Sequence, residues 1–310
     1  MAATVDFAFV PALQDTLTNL YEEDGDNLRD TVRVRTNVVG KSDNWERLSG
    51  VEMIPVTGRH QATPHTPMTH SRRRSLLSDF VGVEYLDDLD KVKMMIDPKN
   101  DYSQNLMKAW QRRVARTTVT ALNAAAIVVA NDDSTTTQAL PASQSIANGG
   151  TGFTMAKWRQ ANRILDNAGV DRDGNRTVLL SAFAIEDLLA DTQITNSDYT
   201  QLNAITTGTI PNGARVMGCR VIMISDAIPD DSAVLTGGTA NPILPKTGNI
   251  RTCFMYHKTA VGLSIAWDGP AEVDKRPDLM NSWQVMRKGS LGAVRVLDAG
   301  VVQIDIDESA

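Results

Sequence analysis

The sequence predicts an α+β protein, and three observations carry that prediction. Residues 99–131 repeat apolar side chains at helical steps. Residues 153–250 alternate between helical and strand patterns, and residues 251–310 carry mostly the two-residue alternation of strands.

In chain order, residues 1–30 form an arm. Phe9, Leu13, Leu17 and Leu20 follow helical spacing, and the arm ends in the acidic run Glu22-Glu23-Asp24-Gly25-Asp26. An amphipathic stripe of this kind seeks a partner surface, on its own chain or a neighbour. Residues 31–86 are β-rich, polar and poor in core residues. Thr31 to Val38 alternate as a half-exposed strand does, and Val51 to Val56 give a second strand signal. Gly58, Pro64 and Pro67 mark a loop tip, followed by Ser71-Arg72-Arg73-Arg74-Ser75. A hairpin this long and polar is expected to be a projecting flap without a core of its own, ordered by another subunit.

The helix over 99–131 is read from Leu106, Trp110, Val114, Ala121 and Ala125, with Arg112, Arg113 and Arg116 on its polar side. The alanines from 121 to 130 favour its continuation. Residues 132–152 read as a polar loop. Thr154 is placed to N-cap a helix through Trp158 and Leu165 that ends near Gly169. A turn at Asp171–Asn175, a strand at Arg176–Ser181, a helix at Ala182–Leu189, a long polar loop over 191–213 and a buried strand at Arg220–Ser225 follow. The tail reads as strands at Thr252–Tyr256, Val261–Trp267, Trp283–Arg287, Gly292–Leu297 and Gly300–Asp307.

Composition narrows the function. Lysine and arginine number 31 against 37 aspartate and glutamate, a net charge of −6, which argues against a dedicated nucleic-acid binder. A wall of that sign lets a polyanion slide past, because phosphate affinity comes mainly from Lys and Arg. Aromatic residues are 5%, so the core must be built of Val, Ile, Leu, Met and Ala. Cys219 and Cys253 each sit in an apolar run and read as buried reduced thiols. No stretch approaches the ~18 apolar residues of a membrane span, and the first residues lack a secretion signal. Synthesis in a reducing cytoplasm is the expectation.

Chemistry-bearing constellations are sparse. Asp171-x-Asp173-Gly174 starts like a calcium loop but has Ala182 where a bidentate Glu belongs. His60, His65 and His70 are spaced five apart in a proline-broken loop, which suits no zinc site. Ser181 follows a strand as a nucleophile would, without the flanking glycines of an elbow. Neither Gly149-Gly150 nor Gly237-Gly238 fits a phosphate loop. The reading is of a non-enzymatic protein with no cofactor and no metal.

The order of parts and the tail motifs carry a resemblance. Cys253-Phe254-Met255-Tyr256-His257-Lys258-Thr259-Ala260-Val261, then Asp274-Lys275-Arg276-Pro277-Asp278, Leu291-Gly292-Ala293-Val294-Arg295 and Gly300-Val301-Val302 resemble the close of tailed-bacteriophage major capsid proteins. So does the Asp97-Pro98-x3-Tyr102 entry into a helix carrying Arg112-Arg113. The resemblance implies the Hong Kong 97-type fold. Residues 1–30 would be the N-arm, 31–86 the E-loop region, 87–152 the peripheral domain with its spine helix at 99–131, 153–250 the axial domain, and 251–310 the return strands.

It further implies a structural subunit that assembles with itself, as hexamers and pentamers, into an icosahedral head around double-stranded DNA. The DNA would be contacted non-specifically. Portal protein, and scaffolding or decoration proteins, would be further partners, with no membrane. An encapsulin-like compartment shares the fold and stands as the alternative, with an α/β enzyme or small-ligand-binding protein behind it. For contacts between subunits the sequence nominates Arg72, Arg73 and Arg74, facing carboxylates such as Glu22, Glu23, Asp24 and Asp26 or Asp87, Asp88 and Asp90. Trp45, beside Glu46 and Arg47, is nominated as an aromatic anchor.

Overall fold

The fold is given by a computed structural model that describes residues 25–59, 63, 65–87, 99–130, 133–190, 213–225 and 243–309. The arm over 1–24, the loop over 191–212, and His60 lie outside the described residues.

Strand alternation sorts the central sheet into two cores. This sheet runs β7-β16-β12-β8-β10-β9, comprising β7 (Ser145–Ile146), β8 (Arg176–Leu180), β9 (Arg215–Val216), β10 (Cys219–Met223), β12 (Ile250–His257) and β16 (Val301–Asp307). A short β11 (Lys246–Thr247) pairs with β12. Val178, Leu180, Val221, Cys253, Met255, Val302 and Ile304 point to one side. There they meet Trp158 and Leu165 of helix α2 (Met155–Asn167) and Ala184 and Leu188 of helix α3 (Ala182–Ala190). Leu179, Ile222, Phe254, Tyr256 and Val301 point to the other side, into a second core. Both faces are covered, which is why these strands read as nearly continuous apolar runs. Thr154 caps α2 as expected, accepting from the Lys157 amide, and Gly169 closes it in the left-handed conformation, φ +72°.

The second core joins that sheet to helix α1 (Lys99–Asn123) and to a five-stranded sheet. That sheet contains β1 (Arg33–Thr36), β4 (Ser78–Leu86), β13 (Val261–Asp268), β14 (Glu272–Arg276) and β15 (Ser282–Arg295). α1 contributes Trp110, Val114, Val119 and Leu122; the sheet contributes Val261, Leu263, Ile265 and Leu291. A short 3-10 segment, Gly25–Thr31, adds Leu28, and Thr31 bonds the buried Tyr256 hydroxyl at 2.6 Å.

A third, four-stranded sheet runs β2 (Ser42–Leu48), β3 (His70–Leu76), β5 (Ala126–Val129), β6 (Thr135–Gln138), antiparallel throughout.

The structure corrects the sequence reading at several points. The long helix stops at Asn123, about 37 Å from its start at 1.5 Å per residue, and not at 131. Beyond it the β-branched Ile127-Val128-Val129 pair with β3 and β6, so long-range pairing overrides alanine propensity. Residues 132–152 are not all loop, since β6 and β7 lie there. The two strands expected around 283–297 are one strand, because β13 and β4 flank β15 and both pair with its residues 289–291. β14 was not anticipated; its Glu-Val-Asp-Lys-Arg sequence has too little apolar alternation. Val51–Val56 forms no strand, as nothing among the described residues pairs with it.

The flap is corrected too. β1 and β4 belong to the five-stranded sheet, and the β2–β3 hairpin is packed at its base. Trp45, Asp43, Arg73 and Ser75 are all buried. Only the stretch beyond the Leu48–His70 pair is open. There Ser49 and Thr69 close the neck, the Ser49 amide donating to the Thr69 carbonyl at 3.0 Å.

Candidate assembly interface

The hairpin is fixed at its base by two buried anchors. The first is Trp45 on β2. Its indole lies flat on β13 at Gly262, where a Cβ would come 2.5 Å from Trp45 Cε2, so only glycine admits the ring. Trp45 Nε1 donates to Ser264 Oγ at 3.0 Å, Ser264 Oγ donates to Asp43 Oδ2 at 2.7 Å, and Arg35 bonds Asp43 Oδ1 at 2.5 Å. The guanidiniums of Arg33 and Arg35 stack over the indole at 4.9 and 4.4 Å from its centroid.

The second anchor is Arg73 on β3. It is fully buried and donates from Nη2 to Asp298 Oδ2 at 2.6 Å and to Gln138 Oε1 at 2.8 Å. Arg295, equally buried, takes Asp298 Oδ1 at 2.7 Å. Arg295 also donates to the Leu122 and Ala124 carbonyls at 3.0 and 2.9 Å and so caps the C-terminus of α1. One carboxylate therefore joins the hairpin to the end of the long helix and to β15. Burial pulls the Arg73 guanidinium below its ordinary range, with Asp298 opposing that shift. Nε and Nη1 of Arg73 have no hydrogen-bond partner among the described residues.

These positions divide the residues nominated from sequence. Trp45 (4% exposed) and Arg73 (0%) face their own subunit, which corrects their assignment to contacts between subunits. In a two-residue alternation, Arg72 and Arg74 fall on the opposite face from Arg73. Arg72 is exposed and pairs with Glu46 at 3.3 Å; Arg74, half-buried, bonds Asn44 Oδ1 at 3.2 Å. Arg47 bonds Ser71 Oγ and the Val296 carbonyl. Glu22, Glu23, Asp24, Asp88 and Asp90 lie outside the described residues. Asp26 lies in the 3-10 segment, with its side chain undescribed.

Beyond the neck the hairpin is open and apolar. Leu48, Val51, Met53, Ile54, Val56 and Met68 are all exposed, Met53 to 96% and Val56 to 77%. Sequence reading saw this segment as a strand and missed that its apolar residues stand exposed, outside the cores of the described residues.

Other chemistry is muted. Both cysteines are free and buried, as expected, and burial pushes the Cys253 thiol up to about 12. Among the described residues no cluster of His, Cys, Asp and Glu is placed to hold a metal, and no helix is long and apolar enough to cross a membrane.

Comparison with known proteins supplies the class. The fold matches solved phage capsids over nearly the whole chain. The capsid of cyanophage P-SCSP1u matches with a TM-score of 0.70 at 16% identity, covering 98% of this chain and 94% of that one. Ralstonia phage GP4 gives 0.70 at 10% identity over 98% and 97%, and Mycobacterium phage Che8 gives 0.61 at 16% over 96% and 97%. No curated protein matches the chain. This is the α+β fold of the Hong Kong 97 type. The chain belongs to the phage capsid protein family, whose model matches residues 5–308. It is a structural protein, the major capsid subunit of a tailed-phage head, and the encapsulin-like and ligand-binding alternatives are not favoured.

Proposed function

We propose that this subunit closes with many copies of itself into an icosahedral shell of hexamers and pentamers around double-stranded DNA. The observation that carries this reading is the hairpin tip. Its base is bolted to its own subunit, while a run of apolar side chains beyond Leu48 stands exposed among the described residues. Each such side chain, once buried, contributes about 1.5–3 kcal/mol. A lattice repeats that gain at every contact.

In this reading residues 1–30 are the N-arm, 31–86 the E-loop region, 87–152 the peripheral domain, 153–250 the axial domain and 251–310 the return strands. The tip lies across an adjacent subunit. Arg47, Arg72 and Arg74 sit at the rim of that contact, with Glu22, Glu23, Asp24 and Asp26 as candidate carboxylates. Trp45 and Arg73 act as the inner anchors that aim the tip. The subunit is non-enzymatic and is made in the host bacterial cytoplasm. Its place is the virion, where portal and scaffolding or decoration proteins join it, and DNA touches it without sequence preference.

The test is expression of the full chain beside a variant whose residues 50–68 are replaced by a short Gly-Ser turn. Closed particles from the first in negative stain, and folded but unassembled subunits from the second by circular dichroism and gel filtration, are expected. A full chain that stays monomeric, or particles of unchanged yield without the tip, overturns the reading.

A further inference from the structure

The five-stranded sheet carries opposite charge on its two outer edges. β15 pairs on one side with β13, which in turn pairs with β1, and on the other side with β4. β1 and β4 are therefore the opposite margins of one sheet. Among the described residues neither has a strand on its outer side.

The β1 margin is cationic. Arg29, Asp30, Val32, Arg33, Val34, Arg35, Trp45 and Lys258 enclose an open cleft of about 600 Å³. Four cations face one carboxylate across it. Two of the four are matched within the chain: Arg29 with Asp268 at 2.9 Å, and Arg35 with Asp43 at 2.5 Å. Among the described residues Arg33 and Lys258 have no carboxylate partner. Stacking on Trp45 at 4.9 Å holds the Arg33 guanidinium in a fixed plane, so less side-chain entropy is lost when its fork meets an acid.

The β4 margin is anionic. From Ser78 to Leu86 it carries Asp79 and Glu84 and no basic residue. Both side chains are exposed, and neither has an ion pair among the described residues. Lys or Arg at β4 would have been the usual guard for such an edge. Here the edge is instead the electrostatic complement of the cleft at the far side of the same sheet.

We propose that the cationic cleft beside Trp45 receives the acidic β4 edge of a second copy, so that subunits join head to tail through the margins of this sheet. An interface between two different patches of one chain is heterologous, and such interfaces close into rings when the rotation permits. The pairing fixes direction, because two β1 margins or two β4 margins repel. This inference rests on the reading of the chain as a shell subunit, and names a contact that holds the ring.

Two measurements test it. In particles assembled from a mixture of light and nitrogen-15-labelled wild-type chains, zero-length carbodiimide coupling should link Lys258 of one copy to Asp79 or Glu84 of another. Those crosslinks are then found as mixed-isotope peptides. Separately, R33E/K258E should reduce particle yield at least tenfold, D79K/E84K should do the same, and the fourfold variant carrying all four changes should restore it. Particles without those crosslinks overturn the edge pairing. So does R33E/K258E assembling at wild-type yield, or a folded fourfold variant that stays unassembled. A wild-type chain that never assembles overturns the shell reading itself, which separates the two failures.

Discussion

Arg73 and Asp298 form a salt bridge of 2.6 Å with the guanidinium wholly out of solvent, and they lie 225 residues apart in sequence. The pair bolts the hairpin to the turn before the last strand. The same carboxylate holds Arg295, so two buried cations depend on one acid.

Asp298→Ala should therefore cost more than any single loss at Arg73. It leaves two buried guanidiniums without a counter-charge, and breaking a buried pair costs about 3–5 kcal/mol. Arg73→Met removes a cation that is only partly satisfied, and fills its space with an apolar chain. Urea denaturation of unassembled subunits should rank Asp298→Ala well below Arg73→Met, which should lose no more than about 2 kcal/mol. Equal losses would show that the carboxylate's second partner adds nothing.

Gly262→Ala should imitate a loss at Trp45 without touching the indole. The added Cβ would stand 2.5 Å from Cε2 and push the ring off β13, breaking its bond to Ser264. Trp45→Ala should cost about 3–5 kcal/mol as a large-to-small change in a packed site. If hairpin and sheet share that anchor, the double variant should lose much less than the sum of the two single losses. Full additivity in thermal melts would place the two residues in independent sites.

Acid should loosen the last strand first. Burial pushes the Glu308 carboxyl up, but hydrogen bonds from Arg251 at 2.8 Å and Lys246 at 2.5 Å outweigh it and leave the group below its ordinary 4.5. A folded-state pKa below the unfolded one means the unfolded chain binds more protons. The resulting stability is full above about pH 5 and is lost as pH falls through the folded value. Glu308→Gln should melt lower at pH 7 and show a flatter decline from pH 5 to 3 than the wild type. Part of the slope should remain, since Asp166, held low by its hydrogen bond from Arg172, and Asp173, held low by Asn175, titrate in the same direction.

What could be read from the sequence followed local rules. The Thr154 cap, the Gly169 stop and the alternation of β16 each depend on neighbours within a few residues, and all appear as expected. What could not be read depends on distant partners. Ala126–Val129 is a strand because β3 and β6 flank it. Arg73 looked like the centre of an exposed basic cluster. Nothing within β3 shows that Asp298, 225 positions on, has drawn it inside. Trp45 misled in the same way, since its place was set by a glycine and a serine on β13. The charge of β1 and β4 was visible residue by residue, but their standing on opposite margins of one sheet needed β13 and β15 to be placed between them.

The hairpin tip separates folding from assembly most sharply. Met53 is 96% exposed, and Ile54 is also exposed. Met53→Asp/Ile54→Asp changes exposed side chains that belong to none of the described cores, so the subunit's stability should stay within about 0.5 kcal/mol of wild type, as for surface changes away from special features. Burial of the same positions against a neighbour would place two charges in an apolar contact, at a cost several times larger. Particle yield should fall at least tenfold, while the circular dichroism spectrum and melting temperature of the unassembled subunit stay unchanged. Normal particles from this variant would move the contact away from the tip. A lowered melting temperature would mean that the tip packs on its own subunit, and the aimed flap would lose its role in joining copies.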